Sequence, residues 1–162
     1  MGIEEVERIK QIFSDNQINV EYLVHEPVLT SEDAAKQRGF ELKQGVKAIL
    51  FTNQSDGWAI ADVPADRQVN QKIIAEFLSW SKSKIRMATP EEVFEKTGCE
   101  IGSVPPFGHK EEIQIFVDEG VFDNQMSAFN IGLRTHSVKV KTEDLKVLLT
   151  NLGVVFGNFS KY

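Results

Sequence analysis

Hydrophobic positions along the chain switch repeatedly between helical and strand spacing. Ile3, Val6, Ile9 and Ile12 recur at three-residue intervals and predict an amphipathic first helix ending near Asp15-Asn16. Ile18 to Val24 reads as a strand stopped by His25-Glu26-Pro27. Thr30 and Ser31 offer N-caps to a short helix that Gly39 closes. Two apolar runs, Val46 to Thr52 and Trp58 to Val63, flank Asp56-Gly57 and predict a hairpin. Asn70 is placed to cap a helix carrying Ile73, Ile74 and Phe77, with Val69 stapled against Ile74. A short strand follows at Ile85 to Met87. Thr89-Pro90-Glu91-Glu92 then has the residues of a capping box, and Gly98 ends the helix it opens. Strands are expected at Ile113 to Asp118, His136 to Lys141 and Val154 to Phe159, with a last helix from Thr142-Glu143-Asp144.

Interleaved strands and helices with at least one hairpin predict an α/β (α+β-like) fold. Its sheet should be mixed, mostly antiparallel and flanked by helices. The 162 residues fit one compact domain spanning 1–162. No apolar run approaches the length of a membrane span, and the start, Met1-Gly2-Ile3-Glu4-Glu5, is acidic. A soluble, cytoplasmic protein is the expectation. The single cysteine, Cys99, excludes an intrachain disulfide and a multi-cysteine zinc site. A net charge of −6 argues against nonspecific coating of nucleic acid, but not against gripping the end of one.

Lys47 is the first chemical candidate. In Val46-Lys47-Ala48-Ile49-Leu50-Phe51-Thr52 alternation puts apolar residues on both faces, as in a covered central strand. A lysine there either snorkels to water or opens into a cleft. Gly102-Ser103-Val104-Pro105-Pro106-Phe107-Gly108 is the second. Its prolines stiffen the loop and leave backbone donors at Ser103, Val104, Phe107 and Gly108, suited to an anion or a polarised carbonyl. A plain structural turn is the other reading. His136 alternates with Val138 and Val140 and should point inward, as a pocket or a core histidine. His25 and His109 flank loops, Cys99 follows a helix end, and Asp62 and Asp66-Arg67 are expected to organise a turn. Asp118 and Glu119 would face opposite ways in a strand, and no metal or cofactor site is expected.

Taken together these segments resemble the YbaK-type family of prolyl-tRNA synthetase-associated editing domains, from about Tyr22 to Leu145. The similarity is carried in order by Val24-His25-Glu26-Pro27, Gly45 to Phe51, Val63-Pro64-Ala65-Asp66-Arg67, Met87 to Glu92, Gly98 to Gly108 and Phe116 to Glu119. It implies an aminoacyl-tRNA deacylase, an ester hydrolase that clears mischarged tRNA. By that resemblance Lys47 holds the substrate end, through phosphate or ribose of the terminal adenosine. The loop residues Gly102, Ser103, Val104 and Pro106 position the aminoacyl group and a water, while His25, Gly108, Asn130 and His136 bind substrate. The implied partners are the 3′ end of aminoacyl-tRNA and a synthetase, tRNA-Pro and its enzyme among them. Alanine-specific relatives carry Asn after the lysine, where this chain has Ala48, and a histidine near Asn130; His136 is more like the pocket histidine of the synthetase insertion. Alanine, serine, cysteine and threonine are therefore the candidate residues removed. A non-catalytic tRNA-end or synthetase-binding module, or a hydrolase of another small ester or amide, are the alternatives.

Overall fold

The computed structural model describes residues 2–27 and 30–162. Helix α1 (Ile3–Asp15) buries Val6, Ile9 and Phe13, while Ile3 stays exposed. Strand β1 (Glu21–Val24) is shorter than the apolar run predicts. The chain first turns at Gln17, with φ 57°, and the Ile18 amide bonds back to the Phe13 carbonyl to finish α1. In helix α2 (Ser31–Arg38) the Thr30 hydroxyl accepts from the Asp33 amide, and Gly39 ends the helix at φ 71°. The Ser31 side chain lies outside what is described.

Strands β2 (Val46–Thr52) and β3 (Trp58–Pro64) form the expected antiparallel hairpin. Its left-handed residue is Gln54, and Gly57 is there for space: a Cβ would sit 2.6 Å from Trp80 and from Asn53. Strand β4 (Gln68–Val69) leads into helix α3 (Gln71–Leu78). Asn70 holds the N-cap position, but its side chain makes no capping bond. After strand β5 (Arg86–Met87) comes helix α4 (Pro90–Thr97), where both bonds of the capping box form between Thr89 and Glu92. Arg86 grips the same Glu92 carboxylate with two nitrogens, at 2.8 and 3.2 Å.

Strand β6 (Gln114–Asp118) is followed by β7 (Met126–Asn130), which the sequence pattern did not predict. Strand β8 (His136–Lys141) runs straight into helix α5 (Thr142–Asn151). The stretch read as one final strand is two, β9 (Val155–Gly157) and β10 (Ser160–Lys161), in different sheets.

The main sheet has the order β5-β2-β3-β6-β9. Its β2 pairings are antiparallel, and β6 is parallel to both neighbours. A second, antiparallel sheet has the order β1-β8-β7, and β10 pairs with β4 in a third. A parallel bridge between Gly45 and Ala128 joins the two larger sheets where β2 begins. Both faces of β2–β3 are covered as the alternation requires. Phe51, Ala59 and Ala61 pack with Ile74 of α3, and Leu50 and Ile60 pack with Val93 of α4 and with Val104. A third cluster puts α1 and α5 over Phe129, Val138 and Val140 of the second sheet. Asp62 organises no turn: it lies fully buried within β3, opposite Ala48. Arg67 does close one, its amide bonding to the Pro64 carbonyl at 3.0 Å.

Candidate active site

The seam between the two larger sheets opens into a cleft of about 150 Å³. Lys47, second residue of β2, lines it together with Gly102 and Val104 of the proline-rich loop, Asn130 at the end of β7, and Thr30, Ala34 and Arg38 from the α2 side. A larger depression of about 510 Å³ lies over the start of α5, near Phe122 and Lys146, and contains none of the expected residues.

The loop is held from outside the cleft. The Ile101 carbonyl accepts two bonds from Arg134, at 3.2 and 2.8 Å, and Arg134 also pairs with Glu100 at 2.8 Å. The Ser103 carbonyl accepts from the Gly132 amide at 3.0 Å. His109 donates Nε2–H to the Pro105 carbonyl at 2.7 Å; burial pushes this histidine down to about 4. Gly102 sits at φ 87° with no heavy atom within 4 Å of a Cβ there, so conformation and not space requires glycine. Ser103 is not the free donor its place in the loop predicts: its amide and hydroxyl both bond to the Glu100 carbonyl, at 3.0 and 2.7 Å. The Val104 amide, like that of Gly102, has no acceptor among the described residues, and both residues line the cleft.

Asn130 is in the cleft wall, 7% exposed. Gly108 is not: it packs under α1, where a Cβ would meet Ile12 at 2.6 Å. Pro106 is buried behind the loop. His25 stands at the margin, its Nε2 bonded to the Ser137 hydroxyl at 2.8 Å and its Nδ1 to the Glu26 carbonyl at 2.8 Å. The structure does not bring His136 to Lys47. Along β8, Ser137 faces the cleft side, where it meets Arg38, so His136 joins Val138 and Val140 on the opposite face, toward α1. Burial first, then Lys10 and His25, lower its pKa.

Residues 25–148 match the model of the aminoacyl-tRNA editing domain. The chain belongs to that family. It is 30% identical over 142 residues to the multifunctional Ser/Thr-tRNA deacylase ProXp-y of Escherichia coli (strain K12), covering 85% of this chain and 84% of that protein. It is 32% identical over 123 residues to the proline–tRNA ligase of Thermosipho melanesiensis, covering 75% of this chain and 21% of the ligase. The fold is shared with a solved structure described as a proposed trans-editing enzyme for prolyl tRNA synthetase, at TM-score 0.79 and 24% identity over 98% of both chains.

Electrostatically, this editing domain has a cationic cleft. Burial lowers the Lys47 pKa, and Glu32 and Asp66 oppose that from a distance without forming an ion pair. Arg38 was not anticipated from the sequence. It is 6% exposed and donates to Ser137 Oγ at 3.1 Å and Asn130 Oδ1 at 2.6 Å, with no carboxylate partner among the described residues. Burial brings it down to about 10, so it remains charged. Full burial raises the pKa of Asp62, the cross-strand neighbour of Ala48, well above its ordinary value. Among the described residues, no group of three or more His, Cys, Asp or Glu is arranged to hold a metal ion. Among the described residues, no helix is long and apolar enough to cross a membrane.

Proposed function

We propose that the chain hydrolyses the ester between a small, wrongly attached amino acid and the 3′ end of tRNA, in the cytoplasm, clearing errors of a synthetase. The observation that carries this reading is the meeting of Lys47 with Gly102 and Val104 in one small cleft. Family membership supplies the reaction class. Serine and threonine are the leading residues, by likeness to the bacterial Ser/Thr-tRNA deacylase, with alanine and cysteine of similar size. The likeness to a stretch of a proline–tRNA ligase makes tRNA-Pro the first tRNA to test.

In this mechanism Lys47 holds the terminal adenosine, and the Val104 N–H points at the oxygen that becomes negative when water adds to the ester carbonyl. The tetrahedral intermediate collapses by breaking the acyl C–O bond. The tRNA hydroxyl takes a proton, and the free amino acid leaves. Aminoacyl esters are activated, so orientation and oxyanion stabilisation can carry the step, with a substrate hydroxyl or amine relaying the proton of the attacking water.

Lys47→Ala should lower kcat/KM on mischarged tRNA by about 100-fold or more. Because the lysine is half-buried with no ion pair to lose, the melting temperature should stay within about 3 °C of the parent. A folded variant with undiminished turnover removes Lys47 from the mechanism. A parent enzyme that binds mischarged tRNA without deacylating any of a panel is a binding module instead.

A further inference from the structure

We infer that Arg38 is an anion-binding residue of the cleft, presented by Asn130 and Ser137 to take the phosphate of the terminal nucleotide alongside Lys47. This rests on the proposed deacylase reading and extends it to a residue outside the motifs that carry the family resemblance.

An arginine only 6% exposed ordinarily has a carboxylate against its guanidinium. Arg38 has two neutral oxygens instead. Those contacts do not neutralise it; they orient it. Asn130 is itself fixed, because its amide nitrogen donates to the Leu133 carbonyl at 3.1 Å, which turns Oδ1 toward Arg38. Ser137 Oγ accepts from Arg38 Nε, which leaves its hydroxyl proton for His25 Nε2. His25 Nδ1–H then donates to the Glu26 carbonyl. Each donor in this chain has one acceptor, and the chain determines which edge of the guanidinium stays free.

That edge is Nη1. It has no acceptor among the described residues and lies next to Gly45, where a Cβ would be 3.6 Å away. Arg38 and Lys47 line the same cleft, and neither has an ion-paired partner among the described residues. Two cations that share a cleft and lack an ion-paired partner there suit an anionic ligand. On an aminoacylated tRNA end the candidates are few. The α-amine carries no negative charge, and serine, threonine, alanine and cysteine esters carry no side-chain anion. The phosphodiester is permanently charged and has the oxygen geometry that a guanidinium fork fits. The phosphate therefore sits on the Arg38–Lys47 side, and the amino end of the aminoacyl group points away from it.

The test uses two minimal substrates, the seryl ester of adenosine and that of adenosine 5′-monophosphate. With the parent enzyme the phosphate should raise kcat/KM. Arg38→Gln should lower kcat/KM on the phosphate-bearing ester by about 10- to 100-fold while leaving the plain nucleoside ester within about twofold. Arg38→Lys keeps the charge without the fork and should fall between; it also serves if the glutamine variant does not fold. Equal losses on both esters in a folded variant, or a parent indifferent to the phosphate, overturn the assignment of Arg38. Hydrolysis of neither ester, nor of mischarged tRNA, by the parent would instead bring down the deacylase reading.

Discussion

Arg38 and Arg67 are both drawn into the protein, and they are treated in opposite ways. Arg67 meets the buried Asp118 at 3.4 Å and Asp123 at 3.6 Å, reaches Ser160 at 3.3 Å, and is stacked by Tyr162 at 4.9 Å. Asp118 also accepts the amides of Gly120 and Phe159, at 3.0 and 2.8 Å. This charge is cancelled where it stands, and the cancellation ties the C-terminal strand to β6. Arg38 has hydrogen bonds of comparable length and no counter-charge among the described residues. Burial alone therefore does not separate a structural arginine from a functional one. What separates them is whether the fold supplies the opposite charge or leaves it to be supplied.

Removing the counter-charge from the structural arginine should have the largest effect. Asp118→Ala leaves Arg67 with the exposed Asp123 alone and strands two backbone amides, and should cost about 3–5 kcal/mol of stability by urea unfolding. The folded fraction should keep its kcat/KM within about twofold, and a stable variant with impaired turnover would reverse the roles of the two arginines. Supplying a counter-charge to Arg38 should come next. Asn130→Asp places a carboxylate where Oδ1 now lies 2.6 Å from Nη2. We expect kcat/KM on mischarged tRNA to drop about tenfold, with stability changed by no more than about 1 kcal/mol, because the Leu133 carbonyl loses one donor and keeps the His136 amide. Undiminished turnover would mean that the cleft's positive charge is idle. His136→Ala should have the smallest effect, about 1 kcal/mol of stability. Placed on the α1 face, it should leave the ratio of seryl to alanyl deacylation within about twofold. A changed ratio would bring His136 back to the substrate pocket.

The parts of the molecule legible in its sequence are those where local chemistry and long-range packing agree. Thr89-Pro90-Glu91-Glu92 carries its own start signal, and the bonds that signal implies are present. The alternation in β2 gave both covered faces and left Lys47 conspicuous. The same alternation groups His136 with Val138 and Val140, but it could not say which face of the second sheet the cleft lies on, and His136 is only partly buried. Strand β7 escaped because Met-Ser-Ala-Phe-Asn is short and mixes polar with apolar positions; its burial comes from pairing with β8, which is a tertiary fact. Arg38 escaped for a related reason. At the end of Ser-Glu-Asp-Ala-Ala-Lys-Gln-Arg it reads as a surface cation complementing the helix dipole, and only the fold shows that Ser137 and Asn130 receive it.

The proline-rich loop is secured at Ile101, Ser103 and Pro105 by Arg134, Gly132 and His109, all from outside the cleft. Its shape therefore does not depend on an occupant. Immobilising a free backbone takes about 1–2 kcal/mol of entropy per residue. For this loop that loss occurs when the chain folds, not when a tRNA end arrives. The attraction between enzyme and nucleotide then need not be spent organising the loop, and remains for holding the ester carbonyl against the waiting amide.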